Sequence, residues 1–113
     1  MAAPSRHRLI EGALARLLPA TPPYDRSAIL DHALSSPGLR KASPETAAWL
    51  SAAAHIRHVH TDYQALLDDD YGVEAARHFT LEPINQVLAA WGGRRRLTAA
   101  EDDPATGQKD VDY

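Results

Sequence analysis

The sequence predicts an all-α fold, a compact bundle of five or six short helices followed by a disordered acidic C-terminal tail. Alanine and leucine supply most of the apolar content, and aromatic residues make up only 6% of the chain. This balance favours helices over sheet. Apolar residues recur at helical spacing in several windows, which proline and glycine separate. Because 113 residues suffice for one domain with its own core, we assign residues 1–96 to that domain and 97–113 to the tail.

Two amphipathic helices are predicted in the N-terminal third. The first spans about residues 5–18, with one apolar stripe made by Leu9, Ile10, Ala13, Leu14, Leu17 and Leu18. Pro22 and Pro23 follow it, and neither can continue a helix. Asp25 has the character of an N-cap, so we predict that a second helix begins there and extends to about Leu34.

The third helix is predicted over about residues 44–60. Ser43 can cap it, Pro44 suits its first position, and Glu45 complements its positive end. Thr61 and Gln64 have capping-box spacing. We therefore predict a change of direction near His60 and a short helix over about 62–68; one helix continuing through residue 67 is the alternative.

Two further helices are predicted before the tail. The acidic run at 68–70 with Gly72 predicts a turn, and residues 73–79 predict a short helix. Thr80 can cap the last helix, with Pro83 tolerated in its first turn. Phe79 and Ile84 have the spacing of a hydrophobic staple around that cap. The pair Gly92-Gly93 is expected to end the helix.

Composition excludes several classes of protein. The chain has no cysteine, which excludes disulfides and thiol catalysis. No run approaches the roughly 20 apolar residues of a membrane span, so we expect a cytoplasmic protein that does not enter the membrane. The net charge is −3, and residues 101–113, with five acids and one lysine, account for −4, which leaves +1 for residues 1–100. A nearly neutral body does not predict strong nonspecific binding to nucleic acid.

Three histidines near the end of the third helix raise the question of a metal site. His55 and His58 are three residues apart, so they share a helix face and can ligate one ion. His60 lies about 200° around the helix from His58, and it can join them only if the backbone turns there. This ligand set is incomplete. We therefore expect no metal or other cofactor, with His55 and His58 as weak candidates.

A second candidate site is a polar cluster at the predicted helix break, formed by Arg57, His58, Thr61, Tyr63 and Arg77. Histidine with arginine suits acid–base chemistry on an anionic group. No serine elbow, glycine-rich phosphate loop or pair of carboxylates accompanies them. An enzyme is therefore the least favoured class, and ion pairs that join short helices explain the same residues.

Binding to another macromolecule is the favoured class. The aromatic residues include Trp49, Trp91, Tyr24 and Tyr63, which are anchors of the type that interfaces use. In a chain with so few aromatic residues, however, a place in the core is the stronger expectation for them. We favour a protein partner or self-association, which predicts an exposed patch of leucine and tryptophan. Nucleic acid is the alternative. It would use Arg94, Arg95 and Arg96, extended by Arg40, Lys41 and Arg57 if the fold brings them together.

The spaced set in HIRHVHTDYQALL, EAARH and INQVLAAWG resembles the bacterial and fungal family catalogued as domain of unknown function 2293. The resemblance covers about residues 45–96. Its matching positions are Arg57, His58, Thr61, Tyr63, Leu66, Leu67, Ala76, Arg77, Val87, Leu88 and Trp91. Gln64 departs from the acid expected at its position. The resemblance implies that the polar cluster belongs to a recurring domain, and it implies no activity.

Overall fold

The computed structural model describes residues 3–102, and within them the chain is helical with no strand. Six α-helices and one short 3₁₀-helix at Pro37–Leu39 follow one another along the chain. The α-helices are α1 (Arg6–Leu17), α2 (Pro23–Ser35), α3 (Pro44–His60), α4 (Tyr63–Asp68), α5 (Val73–Ala90) and α6 (Ala99–Asp102). The predicted all-α class is confirmed. None of these helices is long and apolar enough to cross a membrane.

Helix α3 lies at the centre of the bundle and packs against α1, α2 and α5. Its buried side chains are mostly small, comprising Ala47, Ala48, Ser51, Ala52, Ala53 and Ala54. Small side chains allow neighbouring helices to approach closely. Larger residues from the surrounding helices, among them Ile10, Ile29 and Leu88, fill the core around this surface. As a result, polar residues near the C-terminal end of α3 are held against three different elements.

The helix starts confirm the predicted cap at Ser43, correct the one at Asp25, and add a cap at Ser5 that was not predicted from the sequence. The hydroxyl of Ser5 accepts from the Arg8 backbone N–H, and that of Ser43 accepts from Thr46. Helix α2 begins earlier than predicted, with Pro22 at the N-cap position. Asp25 therefore lies in the first turn rather than at the cap. Its side chain is buried and points towards α3 instead of satisfying its own helix end.

The predicted change of direction after His60 is confirmed, but its chemistry differs. Helix α3 ends at His60 and α4 begins at Tyr63. The Thr61 hydroxyl donates to the Arg57 carbonyl and accepts from the Tyr63 backbone N–H at 3.2 Å. Gln64 does not reach back to form a capping box; it donates to Asp68 one turn later. The Thr61 hydroxyl therefore connects the two helices by hydrogen bonds to both.

The two helices predicted over 73–90 form one helix, α5, with Pro83 inside it. The Thr80 hydroxyl donates to the Ala76 carbonyl one turn earlier, at 2.8 Å, so it does not cap a new helix. Phe79 is 55% exposed and does not form the predicted staple. Burial of Ala76, Thr80, Ile84 and Leu88 along one face outweighs the single backbone hydrogen bond that Pro83 removes.

Helix α5 ends where predicted, at Gly92-Gly93. Gly92 has a φ of +87°, a conformation that favours glycine. Gly93 allows a close approach, because an added Cβ would lie 2.8 Å from the Leu88 carbonyl oxygen. The Trp91 carbonyl accepts from Ala20 at 2.8 Å, which ties this end to the loop after α1. Trp91 is thereby fixed beside the end of α3.

Residues 97–102 belong to the folded domain, although the sequence assigned them to the tail. Leu97 is buried, and the Asn85 amide makes two hydrogen bonds with its backbone, at 3.0 and 2.7 Å. Thr98 and Glu101 form a reciprocal capping box that starts α6. The rest of the predicted disordered tail, residues 103–113, lies outside the described residues.

Candidate functional site

Two polar clusters lie at the C-terminal end of α3. The first, here called the arginine cluster, consists of Arg57 on α3, Arg77 on α5, Tyr63 on α4 and Asp102 on α6. The second, the histidine–aspartate cluster, consists of Asp25 on α2 with His55 and His60 on α3. In each cluster two basic side chains meet one carboxylate oxygen.

In the arginine cluster, Arg57 and Arg77 converge on Asp102. Arg57 Nη2 donates to Asp102 Oδ1, and Arg77 Nη1 donates to the same oxygen at 3.3 Å and to the Asp102 backbone carbonyl at 2.5 Å. The side chains are buried, with 9% of Arg57, 14% of Arg77 and 4% of Asp102 exposed. Two cations and one anion are thus held together in a nearly dry site.

Tyr63 completes the arginine cluster. The guanidinium carbons of Arg57 and Arg77 lie 5.8 and 6.0 Å from the centre of its ring, within range of a cation–π interaction. Thr61 sets this position, since its hydroxyl connects the Arg57 carbonyl to the Tyr63 backbone. The junction that Thr61 forms therefore holds an aromatic ring against two guanidinium groups.

Burial dominates the electrostatics of the arginine cluster. Burial raises the pKa of Asp102, and the charges of Arg57 and Arg77 oppose this effect. Burial also lowers the pKa of Arg57, against the charge of Asp102. Each guanidinium carries five N–H donors, and the buried Nε groups of Arg57 and Arg77 have no hydrogen-bond partner among residues 3–102. The pair retains unused capacity to donate to an anionic group.

The histidine–aspartate cluster joins α2 to α3. His55 Nε2 donates to Asp25 Oδ1 at 2.7 Å, and His60 Nε2 donates to the same oxygen at 2.8 Å. The two imidazole rings meet edge to face with their centres 5.9 Å apart, and Trp91 contacts the His60 ring at 5.7 Å. His55 is 1% exposed, whereas 35% of the His60 side chain faces solvent.

Asp25 accepts both hydrogen bonds as a carboxylate. Burial by itself raises its pKa, but the hydrogen bonds from His55 and His60 and their charges outweigh that effect, and the pKa lies below its ordinary value. Two turns further along α2, His32 Nδ1 lies 3.2 Å from the Ser51 hydroxyl. Burial lowers the pKa of His32, and the charge of His55 lowers it further.

The residues singled out in the sequence divide between these two clusters and the surface. Arg57, Tyr63 and Arg77 come together, with Thr61 as the supporting residue. His58 is exposed and does not share the position of His55, which is buried against Asp25. The three side chains whose ligand atoms lie within 4.8 Å of one another are Asp25, His55 and His60, so the structure pairs His55 with His60 rather than with His58.

The consecutive arginines after α5 have separate surroundings. Arg95 lies over the Trp49 ring at 4.3 Å and pairs with Glu101, while Arg96 pairs with Glu82. Arg94 and Arg95 line a surface hollow of about 390 Å³ together with Arg16 on α1. We call this the basic hollow. Arg57 is buried in the arginine cluster, so it does not extend this surface.

The exposed apolar residues agree only in part with the anchors expected for an interface, because Tyr24 is 80% exposed whereas both tryptophans are buried. Trp49 and Trp91 are 1% and 7% exposed and belong to the core. Large apolar side chains with substantial exposure are instead Leu9, Tyr24, Leu34, Val59, Tyr71, Val73 and Phe79. Tyr71 and Phe79 form an edge-to-face pair with ring centres 5.9 Å apart. The predicted patch of leucine and tryptophan is therefore not formed by the tryptophans.

Sequence reasoning missed three site residues. Asp25 was interpreted as a cap, His60 was separated from the other histidines by helix periodicity, and Asp102 was placed in the tail. A signal for Asp102 was present, because Thr98 and Glu101 have the spacing of a capping box. No local signal identifies Asp25 and His60 as neighbours, because they are 35 residues apart.

The arrangement of the chain can be compared with known proteins. The model of the family described as "Uncharacterized conserved protein (DUF2293)" matches residues 13–92. This match extends further towards the N-terminus than the resemblance at residues 45–96, and it takes in all of α2. Neither a curated protein nor a solved structure matches the chain. Both arginines of the arginine cluster lie inside the matched segment, and Asp102 lies outside it. Since the match covers more than half of its length, the chain belongs to the DUF2293 family of uncharacterised conserved proteins.

Proposed function

We propose that this protein is a protein-interaction module, and that Arg57, Tyr63 and Arg77 bind a carboxylate in an acidic segment of a partner. The observation that carries the proposal is the convergence of two buried guanidinium groups on one carboxylate oxygen. Arginine is suited to this task because its planar guanidinium can donate parallel hydrogen bonds to both oxygens of a carboxylate at once. In this proposal Asp102 is an internal substitute for the carboxylate of the partner.

The donor capacity of the site supports this proposal. Asp102 uses only part of it, since the Nε groups of Arg57 and Arg77 lack partners among the described residues. A ligand that presents both oxygens of a carboxylate would satisfy more of these donors than Asp102 does. The crevice beside the arginines, lined by Leu50, Ala53, Ala54 and Leu97, has a volume of about 10 Å³. This is room for about one water molecule, so a partner carboxylate would bind where Asp102 has moved out.

The position of Asp102 at the end of a short helix also supports its replacement by a carboxylate of the partner. Asp102 is the last residue of α6, a helix of four residues, whereas the arginines stand on long helices. Leu97 and Asn85 fix the start of this segment. Asp102 is therefore the part of it farthest from that anchor. A partner carboxylate would replace Asp102 without leaving the buried arginines unpaired, which avoids the large cost of an isolated buried charge.

Titration of a nitrogen-15-labelled chain with the acetylated tetrapeptide Ala-Ala-Glu-Asp tests the proposal by NMR. The variant Asp102→Asn keeps an acceptor oxygen but removes the competing charge. We expect it to bind the peptide with a Kd on the order of 1 mM, with shifts at the Nε–H signals of Arg57 and Arg77. The unaltered chain should bind at least tenfold more weakly, because Asp102 competes.

Two controls make the result specific. Glu82→Gln removes an exposed carboxylate that pairs with Arg96, and it should leave peptide binding as weak as in the unaltered chain. Adding Arg77→Gln to Asp102→Asn should weaken binding at least tenfold. Equal binding of the acetylated and C-terminally amidated peptide Ala-Ala-Gln-Asn, which has no carboxylate, or no shift at the arginines, would count decisively against a carboxylate site. Peptide-free association of the chain in light scattering would identify a second copy as the partner.

Nucleic acid remains the second candidate, because three arginines surround the basic hollow. Phosphate contacts from Arg16 and Arg94 would produce binding that weakens steeply with salt. The double variant Arg16→Gln with Arg94→Gln should then abolish a gel shift of labelled DNA or RNA at low salt. No shift with the unaltered chain would exclude this candidate and leave the peptide site unaffected.

A further inference from the structure

The histidine–aspartate cluster has the composition and spacing of a transition-metal site. We propose that Asp25, His55 and His60 bind one divalent zinc ion through Asp25 Oδ1 and the Nε2 atoms of the two histidines. This site is separate from the arginine cluster, and the proposed function does not depend on it. The three ligand atoms lie within 4.8 Å of one another, close enough to surround a single ion.

The two contacts with Asp25 require only a small adjustment. Zinc lies about 2.0–2.1 Å from histidine nitrogens and about 2.0–2.2 Å from carboxylate oxygens, so tetrahedral ligand atoms are roughly 3.3 Å apart. The nitrogens of His55 and His60 lie 2.7 and 2.8 Å from Asp25 Oδ1. Opening each contact by about half an ångström would replace two N–H···O hydrogen bonds with metal bonds. Each imidazole would then carry its proton on Nδ1 or release it to solvent, because zinc binds an unprotonated nitrogen. Side-chain rotation can supply such a movement without displacing the helices.

The ligand types favour zinc among the common divalent ions. Imidazole nitrogens suit zinc and similar transition metals, whereas magnesium and calcium prefer oxygen ligands. Two histidines with one carboxylate form a known zinc set that leaves a fourth position for water or an exogenous ligand. His60 provides the open side, because 35% of its side chain is exposed while Asp25 and His55 are buried.

The surroundings hold the ligands in place. The ring of Trp91 packs against His60, with the ring centres 5.7 Å apart, and the hydrogen bond from Ala20 to the Trp91 carbonyl fixes that residue. Asp25 is held by the first turn of α2 and His55 by the middle of the packed helix α3. A site built on packed helices needs little reorganisation to bind its ion.

Calorimetric titration of the metal-free full chain with zinc chloride tests the proposal. We expect one equivalent to bind with a Kd below about 1 µM. His60→Ala removes a ligand at the end of α3, where the fold should tolerate the change, and should weaken binding at least tenfold. Asp25→Asn should weaken it to a similar degree. His58→Ala, the matched control two residues away on the exposed surface, should leave affinity unchanged.

A separate measurement identifies the atoms that bind the zinc ion. X-ray absorption should show nitrogen and oxygen ligands at about 2.0–2.1 Å, with a lower histidine contribution in His60→Ala. Circular dichroism should confirm that each variant is folded. Absence of zinc binding by the unaltered chain would overturn the proposal. Binding that survives both His60→Ala and Asp25→Asn, or is lost in His58→Ala, would overturn it too, because either result identifies adventitious surface histidines.

Discussion

The arginine cluster and the histidine–aspartate cluster have the same plan but different chemistry. Each places one carboxylate between two basic side chains at the C-terminal end of α3. In the arginine cluster the basic groups are permanent cations. In the histidine–aspartate cluster they are imidazoles, which can be neutral and can bind a metal. The first cluster is thus suited to an anionic group, and the second to a metal cation.

The clusters also differ in where their carboxylates come from. Asp25, His55 and His60 all lie within the segment that matches the family model, whereas Asp102 lies beyond it. The histidine–aspartate cluster is therefore assembled within the family segment alone. The arginine cluster is completed by α6, which lies beyond the matched segment. This position is consistent with the proposal that a partner carboxylate replaces Asp102.

The largest expected effect is at Asp102. Asp102→Ala leaves two buried guanidinium groups without their anion, and breaking a buried pair in this way costs about 3–5 kcal/mol. Urea denaturation should show this loss in the free energy of unfolding. The exposed Asp31→Ala should change it by less than about 0.5 kcal/mol. A loss of the same small size for Asp102→Ala would show that the arginine cluster is solvated and would remove its distinction from a surface ion pair.

A smaller effect is expected at Asp25. Asp25→Ala removes the acceptor of two imidazole N–H groups that can be neutral, and an unsatisfied buried donor costs about 1–3 kcal/mol. His55 bears most of this cost because His60 can turn towards solvent. Urea denaturation in the presence of a metal chelator measures it, so that zinc does not contribute. A loss larger than that of Asp102→Ala would reverse the order of the two clusters.

The smallest expected effect is the pH dependence of stability that His32 contributes. Histidine titrates near neutral pH, whereas the arginines keep their charge. Burial, followed by the charge of His55, holds the pKa of His32 below its ordinary value of 6.5. Above pH 6.5 His32 is neutral in both states and adds no pH dependence. As the pH falls below 6.5 the unfolded chain takes up the proton first, so the folded state loses stability. Thermal unfolding between pH 7 and about pH 5 should show this decline.

The variant His32→Gln is the control for that decline. Glutamine can still hydrogen-bond to Ser51 and does not titrate. Its stability should therefore fall less between pH 7 and about pH 5 than that of the unaltered chain. Parallel curves for the two proteins would show that His32 does not contribute. His58→Gln is a matched surface substitution and should follow the unaltered chain, because His58 is exposed near the end of α3.

Local chemistry predicted most of the helices. The Ser43-Pro44-Glu45 start and the break at Thr61 both follow from capping and backbone preferences that act within a few residues. The same reasoning failed at Thr80, where it predicted a helix start. Burial of one continuous face of α5 kept the helix intact through Pro83, and a local rule does not include that burial.

The candidate site was predicted in part. Sequence alone identified Arg57, Tyr63 and Arg77, and the resemblance at spaced positions indicated that they belong together. It could not indicate that Asp102 joins them, since that contact spans 45 residues. Helix periodicity was the only relation between the histidines that the sequence offered, and it paired His55 with His58.

The sequence by itself determined the helical class and the residue types available at the junction after α3, and it favoured a change of direction there. These follow from short-range steric and hydrogen-bonding preferences, which are encoded within a few residues. The tertiary structure alone decided which carboxylate meets which basic pair. The crossing of α2 over α3 brings Asp25 to the two histidines, and the anchoring of Leu97 by Asn85 brings Asp102 to the arginines. Such pairings depend on how helices pack, and that is set by the whole core rather than by any one segment.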